Sequence, residues 1–242
     1  MASPRPPLAD RFPDFPWDLL APAKARAAAH PNGLIDLSMG TPVDSVPSAV
    51  QAALAAASNA PGYPLTQGTP DFSQALIDWL YAEARVSAGA GIAVLPTIGL
   101  KEAVASLPTL LGLGARDAVV VPPLAYPTYE VGAIAAGARV IRTDDLNAWA
   151  HDDTVGLVWV NSPANPTGRV LSAGQLRDVV ATARRIGAVV ASDECYLDLW
   201  WQGQRPSSIL ASDVCDADIS GVLALDRKST RLNSSHEWIS RM

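Results

Sequence analysis

The sequence predicts an α/β protein with a mostly parallel sheet and helices on both faces of that sheet. Two observations support this class. Short runs rich in β-branched residues alternate with segments whose apolar residues recur every three or four positions. Polar motifs that contain glycine, proline or acidic residues directly follow several of the short runs, which is where open α/β sheets bind ligands.

The individual elements follow from spacing and from start signals. Thr69 and Pro70 are a cap residue and a first-turn proline, and Ser172 with Gln175 forms a capping-box pattern. Helices are therefore expected over 21–29, 48–58, 70–85, 100–111, 128–136 and 173–186. Strands are expected over 92–96, 117–121, 139–142, 156–160, 188–192 and 222–225.

Composition changes at both ends of the chain. Residues 1–40 are proline-rich and predict an N-terminal arm, and residues 41–225 predict one large domain. Residues 226–242 are polar, lack helix or strand periodicity and carry four basic residues against two acidic ones. They predict an unstructured tail, either a solvated native terminus or foreign sequence joined to an interrupted gene.

Composition also limits the function. The 242 residues are 49% hydrophobic and 17% charged, with a formal net charge of −6, which disfavours nucleic acid as a partner. The two cysteines lack CxxC spacing and predict reduced thiols, and the three histidines are scattered, so no metal site is expected. No apolar run predicts a membrane helix and the N-terminus does not resemble a signal peptide, so a cytoplasmic protein is expected.

Two motifs after predicted strands offer hydrogen bonds and charge. The segment 161–168, NSPANPTG, includes Asn165, whose amide is both a donor and an acceptor between restricting prolines, although a simple turn would also explain it. The segment 192–196, SDECY, places Asp193 at a strand end among apolar residues, where a carboxylate needs a cationic partner. Tyr196 could reach the same ligand. A solvated acidic turn is the alternative interpretation.

Two further motifs suit a phosphate and a flat ring. Gly99 directly precedes a predicted helix, whose first N–H groups and dipole favour an anion. Tyr126 is followed by Pro127 and could stack on a ring, although it could equally be a buried loop tyrosine. Together the four motifs provide a phosphate site, a stacking ring, a hydrogen-bonding amide and an acid for a ring nitrogen. This combination predicts pyridoxal phosphate as cofactor.

The motifs NSPANPTG and SDECY resemble those of the fold-type I, class I/II aminotransferases. The resemblance covers about residues 12–225. Further segments, including FPWDLL, IDLSMGTPVD, APGYPLTQGTP, VLPTIGLKE and ASDECYLDLWW, resemble the actinobacterial-type N-succinyldiaminopimelate aminotransferases. This similarity implies transfer of an amino group between glutamate/2-oxoglutarate and N-succinyl-2-amino-6-oxopimelate. Another amino-acid aminotransferase, a carbon–sulfur lyase and a non-catalytic cofactor-binding fragment remain alternatives.

The resemblance implies a role for each motif in holding the cofactor. Gly99, Leu100 and Lys101 match the phosphate-binding loop, in which main-chain N–H groups do most of the binding. Tyr126 matches the aromatic residue that stacks on the pyridine ring.

The remaining correspondences concern the ring substituents, the substrate and a second subunit. Asn165 and Tyr196 match the residues that bind the 3-oxygen of the ring, and Asp193 matches the carboxylate paired with the ring nitrogen. Tyr63 matches a tyrosine that reaches the cofactor phosphate of the partner subunit, which implies a homodimer. Gly40 matches the loop that contacts the substrate carboxylate.

One departure from the family pattern affects catalysis. The lysine that binds the cofactor covalently should follow the 222–225 strand in a Ser-x-Ser-Lys segment, but the chain reads Asp226-Arg227-Lys228-Ser229-Thr230. Lys228 lacks the preceding serine, so the sequence predicts that the catalytic lysine is missing. The rest of the large domain and the small domain with its substrate-binding arginine are also expected to be missing, so an inactive fragment is predicted.

Overall fold

The computed structural model describes residues 10, 12–14, 17–37, 44–216, 218–226 and the backbone of 238–241. Among these residues seven strands form one sheet. The strands are β1 (Val94–Thr97), β2 (Ala118–Val121), β3 (Arg139–Arg142), β4 (Val155–Asn161), β5 (Val189–Asp193), β6 (Val222–Asp226) and β7 (Trp238–Arg241).

Helices connect the strands. They are α1 (Ala21–Ala28), α2 (Ser48–Ala56), α3 (Pro70–Glu83), α4 (Leu100–Leu110), α5 (Thr128–Ala136), α6 (Ala173–Ile186) and the short α7 (Ser212–Cys215). The predicted start signals of two helices are confirmed. Thr69 Oγ1 accepts from Phe72 N–H, and Ser172 and Gln175 form the complete capping box.

The sheet is mixed, with the order β1-β7-β6-β5-β4-β2-β3. Strands β2 to β6 pair in parallel with one another, whereas β7 runs antiparallel between β1 and β6. Helices cover both faces of the parallel part, so the predicted α/β class is confirmed.

The tail does not match the prediction of an unstructured segment throughout 226–242. Asp226 is the last residue of β6, and Trp238–Arg241 form β7. The prediction failed because it relied on side-chain periodicity, whereas strand pairing uses main-chain groups that every non-proline residue carries. A strand at this position supplies hydrogen-bond partners to the facing edges of β1 and β6.

The two faces of the sheet support separate apolar cores. Val158 and Val160 of β4 pack with α3 and α6 on one face, whereas Leu157 and Trp159 pack with α4 and α5 on the other. The side chains of Tyr129 and Asp193, which contact each other, lie on the α4/α5 face. Within the described residues no helix has the length and apolar character needed to cross a membrane.

Helices α4 and α5 approach each other closely at Gly132. A Cβ atom on Gly132 would lie 2.8 Å from the carbonyl oxygen of Ala105 and 3.0 Å from that of Val104. These are backbone atoms, which cannot move aside without shifting the helix. The absence of a side chain at Gly132 therefore sets the distance between the two helices that precede and follow β2.

We expect Gly132→Ala to lower the free energy of unfolding by about 1–3 kcal/mol, because the added methyl group overpacks this helix contact. Urea unfolding followed by circular dichroism measures the effect. The control is Gly174→Ala in the first turn of α6, where the nearest atom to an added Cβ is 3.8 Å away. The control should be neutral or slightly stabilising, and equal losses for both variants would contradict the explanation.

Candidate functional site

The carboxyl ends of β4 and β5 lie side by side. Asn161 and Asp193, the last residues of these strands, are paired in the parallel register. Both side chains are buried, with 7% and 5% of their surface exposed. The two motifs that the sequence analysis placed after separate strands therefore begin at adjacent positions on one sheet edge.

Asp193 is a buried carboxylate held by two donors. The hydroxyl group of Tyr129 donates to Oδ2 at 2.7 Å, and Cys195 N–H donates to Oδ1 at 3.2 Å. Burial raises the pKa of Asp193, these hydrogen bonds oppose the increase, and the neighbouring charge of Asp226 adds to it. None of the ion pairs formed between described residues includes Asp193.

Asn161 connects the β4 and β5 loops through one amide group. Its Nδ2 donates to the carbonyl oxygens of Asp193 at 3.0 Å and Pro163 at 3.2 Å, and its Oδ1 accepts from Asn165 N–H at 2.8 Å. Asn161 is the first residue of the NSPANPTG motif, and the sequence alone predicts no role for it. The motif alone could not distinguish an asparagine that contacts a ligand from one that holds its own loop.

The side chains of Asn165 and Tyr196 lie together beyond the ends of β4 and β5. The Asn165 amide donates to the Tyr196 hydroxyl oxygen at 3.4 Å. Asn165 is exposed and Tyr196 is half-buried. Burial, together with the neighbouring Cys195 and Asp193, raises the pKa of Tyr196 to about 12, so the hydroxyl group keeps its proton at neutral pH.

Two tyrosines extend the site along the α4/α5 face. The rings of Tyr126 and Tyr129 meet edge to face with centroids 6.2 Å apart, and Tyr129 stacks on Trp159 at 4.7 Å. Tyr126 is half-buried, whereas Tyr129 is 1% exposed. The contact between Tyr129 and Asp193 was not predicted, because no sequence pattern links two residues 64 positions apart.

The N-terminus of α4 has the form expected of an anion site. Gly99 is the N-cap and has extended backbone without a side-chain cap. The first hydrogen bond of the helix runs from Ala103 N–H to Gly99 O at 2.9 Å, so the helix itself does not use the preceding N–H groups. Leu100 is buried in the same apolar core as Tyr129, whereas the side chain of Lys101 is exposed.

The remaining predicted site residues are not part of this cluster. Tyr63 lies in a loop and is fully exposed. Gly40 and Lys228 lie outside the described residues.

Glu194 is a further buried carboxylate, and the sequence alone predicts no role for it. It is 1% exposed and accepts from Ser208 Oγ at 2.8 Å and from Ile209 N–H at 2.6 Å. Glu194 therefore attaches the loop after β5 to the segment before α7. Within the described residues no group of three or more His, Cys, Asp or Glu side chains could hold a metal ion.

A cavity of about 300 Å³ lies on the opposite face of the sheet. Its apolar wall includes Val158, Val160, Trp149 and Leu171, which belong to or pack against the α3/α6 core. Asp193, Tyr126 and Tyr196 do not line it. A ligand bound at Asp193 would therefore lie at the sheet edge and not in this cavity.

The fold and this edge define a class of protein. A mostly parallel sheet with a buried carboxylate, an Asn–Tyr pair, an aromatic ring and a helix N-terminus at its carboxyl edge fits the large domain of fold-type I enzymes that use pyridoxal phosphate. The family model described as aminotransferase class I and II matches residues 32–224, and the chain belongs to this family. Membership implies pyridoxal phosphate as the cofactor.

Two bacterial relatives are similar over most of the chain. It is 54% identical over 214 residues to "Probable aminotransferase Rv1178" of Mycobacterium tuberculosis, covering 88% of this chain and 51% of the relative. It is 49% identical over 222 residues to the "4-dedimethylamino-4-oxo-anhydrotetracycline transaminase OxyQ" of Streptomyces rimosus, covering 92% and 61%. The chain thus spans about half to three fifths of the length of these relatives.

Solved structures show the same fold. An aminotransferase from Neisseria meningitidis superposes with a TM-score of 0.84 at 25% identity, covering 97% of this chain and 65% of that one. A "probable N-succinyldiaminopimelate aminotransferase" from Thermus thermophilus superposes with a TM-score of 0.79 at 27% identity, covering 93% and 63%.

We expect Asn161→Ala to lower the free energy of unfolding by about 2–4 kcal/mol, because three hydrogen bonds are lost and buried main-chain groups lose their partner. Asn165→Ala is the matched control in the same loop, since its side chain is exposed and makes one long hydrogen bond. Urea unfolding should show little change for the control. Similar losses for both variants would mean that Asn161 does not organise the loop.

The raised pKa of Asp193 predicts a pH-dependent stability. Because the folded chain binds this proton more tightly than the unfolded chain, the contribution of Asp193 to stability is complete below the unfolded pKa and is lost as pH rises through the folded pKa. Asp193→Asn removes this titration, so its stability relative to the unmodified chain should increase from about pH 4 to about pH 8.

Urea unfolding at both pH values measures this difference. Asp178→Asn, an exposed position on α6, is the control and should show no such trend. A difference between Asp193→Asn and the unmodified chain that stays constant with pH would contradict the assignment.

Proposed function

We propose that the chain is the cofactor-binding part of a pyridoxal-phosphate-dependent aminotransferase that acts on amino acids and 2-oxo acids. The observation that carries the proposal is the buried Asp193 carboxylate, held by Tyr129 and Cys195 beside the Asn165–Tyr196 pair. A buried carboxylate among apolar residues is costly, and a bound cation would offset that cost.

Each residue at the edge fits one part of the cofactor. The N-terminus of α4, from Gly99 to Lys101, would bind the phosphate, and Tyr126 would contact the ring face. Asn165 and Tyr196 would bind the ring oxygen. Asp193 would hold a proton on the ring nitrogen. The cofactor would supply an electron sink for the reacting carbon.

We further propose that this chain does not carry the catalytic lysine. Transamination needs a lysine amine close to the reacting carbon, as a covalent partner and as a base. The proposal is supported by the sequence after β6, where Asp226–Thr230 replaces the Ser-x-Ser-Lys pattern. On this proposal the 242-residue chain binds the cofactor weakly and reversibly and does not transaminate.

For the whole protein we propose the reaction of N-succinyl-LL-2,6-diaminopimelate with 2-oxoglutarate to give N-succinyl-2-amino-6-oxopimelate and glutamate. Segments such as IDLSMGTPVD and ASDECYLDLWW, and the similarity to the Thermus aminotransferase, support this substrate. The 49% identity to OxyQ favours another aminotransferase as the competing assignment. We also propose a homodimer in which Tyr63 contacts the partner's cofactor and Gly40 contacts the substrate. The protein is proposed to be cytoplasmic and to bind no nucleic acid.

Titration of the full chain with pyridoxal phosphate tests the first proposal. Tryptophan fluorescence should show saturable binding that dialysis reverses. Asp193→Ala should weaken the affinity by about tenfold or more, because it removes the partner of the ring nitrogen. Asp178→Asn is the exposed control. Equal affinity for all three chains, or no binding by the unmodified chain, would reject the cofactor site.

Borohydride reduction of the mixed sample, followed by peptide mass mapping, tests the second proposal. Lys228 should remain unmodified. An extended chain that carries the family's lysine segment should transaminate and should prefer succinylated diaminopimelate over other donors. Stoichiometric labelling of Lys228 would show that this residue is the catalytic lysine and that the tail is native.

A further inference from the structure

Tyr129 makes the shortest side-chain contact with Asp193. Its hydroxyl group donates to Asp193 Oδ2 at 2.7 Å, and its side chain is 1% exposed. The ring is fixed from two sides, because it stacks on Trp159 at 4.7 Å and meets Tyr126 edge to face at 6.2 Å. The hydroxyl group therefore has one position, and that position faces the carboxylate.

Burial and the neighbouring charges together keep the proton on the Tyr129 hydroxyl group. Burial is the largest cause that raises the pKa of Tyr129 well above its usual range, and the charge of Asp193 raises it further. Cys195 and Tyr196 from the loop after β5 also face the pair, and Asp226 at the end of β6 faces Asp193. The Tyr129 hydroxyl group therefore always donates its hydrogen bond to Asp193. The Asp226 carboxyl group is a further neighbour of Asp193.

We propose that Tyr129 is a positioning residue for Asp193: its hydroxyl group holds the carboxylate in its charged form and in one orientation toward the ring nitrogen of pyridoxal phosphate. The inference rests on the proposed function, which supplies the ring nitrogen. A carboxylate with a hydrogen bond to its charged form is a weaker base. The proton shared between Asp193 and the ring therefore stays on the nitrogen, where it is needed to draw electrons from the reacting carbon.

A purely structural role makes a different prediction. If Tyr129 only fills the core, its ring is what matters, and Phe at this position would preserve the stack on Trp159. Tyr129→Phe removes the hydroxyl oxygen alone and therefore separates the two roles. Tyr81→Phe is the matched control, because Tyr81 lies on α3 and is 37% exposed.

The first measurement needs no cofactor. In the full chain labelled with ¹³C at aspartate carboxyl carbons, the Asp193 resonance is assigned by its loss in Asp193→Asn and is followed through a pH titration. Tyr129→Phe should raise the midpoint of this titration, because a donor to the charged form is lost. The midpoint should not change in Tyr81→Phe. An unchanged midpoint in Tyr129→Phe would overturn the proposal.

The second measurement compares pyridoxal phosphate with its 1-deaza analogue, in which CH replaces the ring nitrogen. The unmodified chain should prefer pyridoxal phosphate, and Tyr129→Phe should reduce this preference by about tenfold. In the Asp193→Asn background the same substitution should change the preference little, since the residue acts through Asp193. An equal effect in both backgrounds would contradict the inference.

The two measurements separate the failure of this inference from that of the proposed function. One outcome is that Tyr129→Phe raises the Asp193 midpoint while the unmodified chain binds pyridoxal phosphate and its 1-deaza analogue equally. That result would reject the cofactor site and, with it, the role of Tyr129 toward the cofactor. A preference that Tyr129→Phe does not alter would reject this inference alone. If Tyr129→Phe does not fold, Tyr129→His, which retains a ring and an N–H donor, should keep the preference of the unmodified chain.

Discussion

The position of one buried carboxylate constrains the site more than any other feature. Asp193 ends β5 between two neighbouring strands, where water cannot solvate it, so protein donors must do so. One donor is the backbone of the next loop, and the other is Tyr129 from α5. The hydroxyl group reaches the carboxylate only if α5 lies close to the sheet, and the missing side chain at Gly132 permits the close approach of α5 to α4. The packing of α5 against α4 therefore affects how well the Asp193 carboxylate is stabilised by Tyr129.

The parallel register explains why separate motifs meet at this carboxylate. Because β4 and β5 pair with Asn161 opposite Asp193, the loops that follow them start side by side. Side chains alternate between faces along a strand, so Trp159 and Asn161 share the face that Tyr129 covers, whereas Val158 and Val160 face α6. A shift of one residue would turn Asn161 toward the other core and would break its hydrogen bonds to both loops. The alternation of apolar side chains along β4 sets its register and therefore also sets which groups Asn161 reaches at the end of the strand.

The sequence predicted the layers and all six expected strands, because periodicity is a local signal. Only the family resemblance placed Asn165 and Tyr196 on the same ligand atom, and the two side chains do lie together. The sequence did not predict the roles of Tyr129 or Asn161, since these depend on which distant groups the fold brings within about 3 Å. A tyrosine three positions after Tyr126 has the same local signal whether it packs in a core or donates to a carboxylate. Strand β7 was also missed, because main-chain pairing between β1 and β6 needs no side-chain pattern.

The electrostatics of the edge indicate what kind of group completes it. Asp193 and Asp226 end the adjacent strands β5 and β6, and both are almost fully buried. The charge of Asp226 raises the pKa of Asp193, so a second negative charge makes ionisation of Asp193 more costly. Tyr129 and Cys195 offset part of this cost with dipoles, but they bring no positive charge. A bound cation would interact favourably with both carboxylates, whereas a neutral ligand would leave their repulsion unchanged. At this edge a bound cation would therefore be favoured over a neutral ligand.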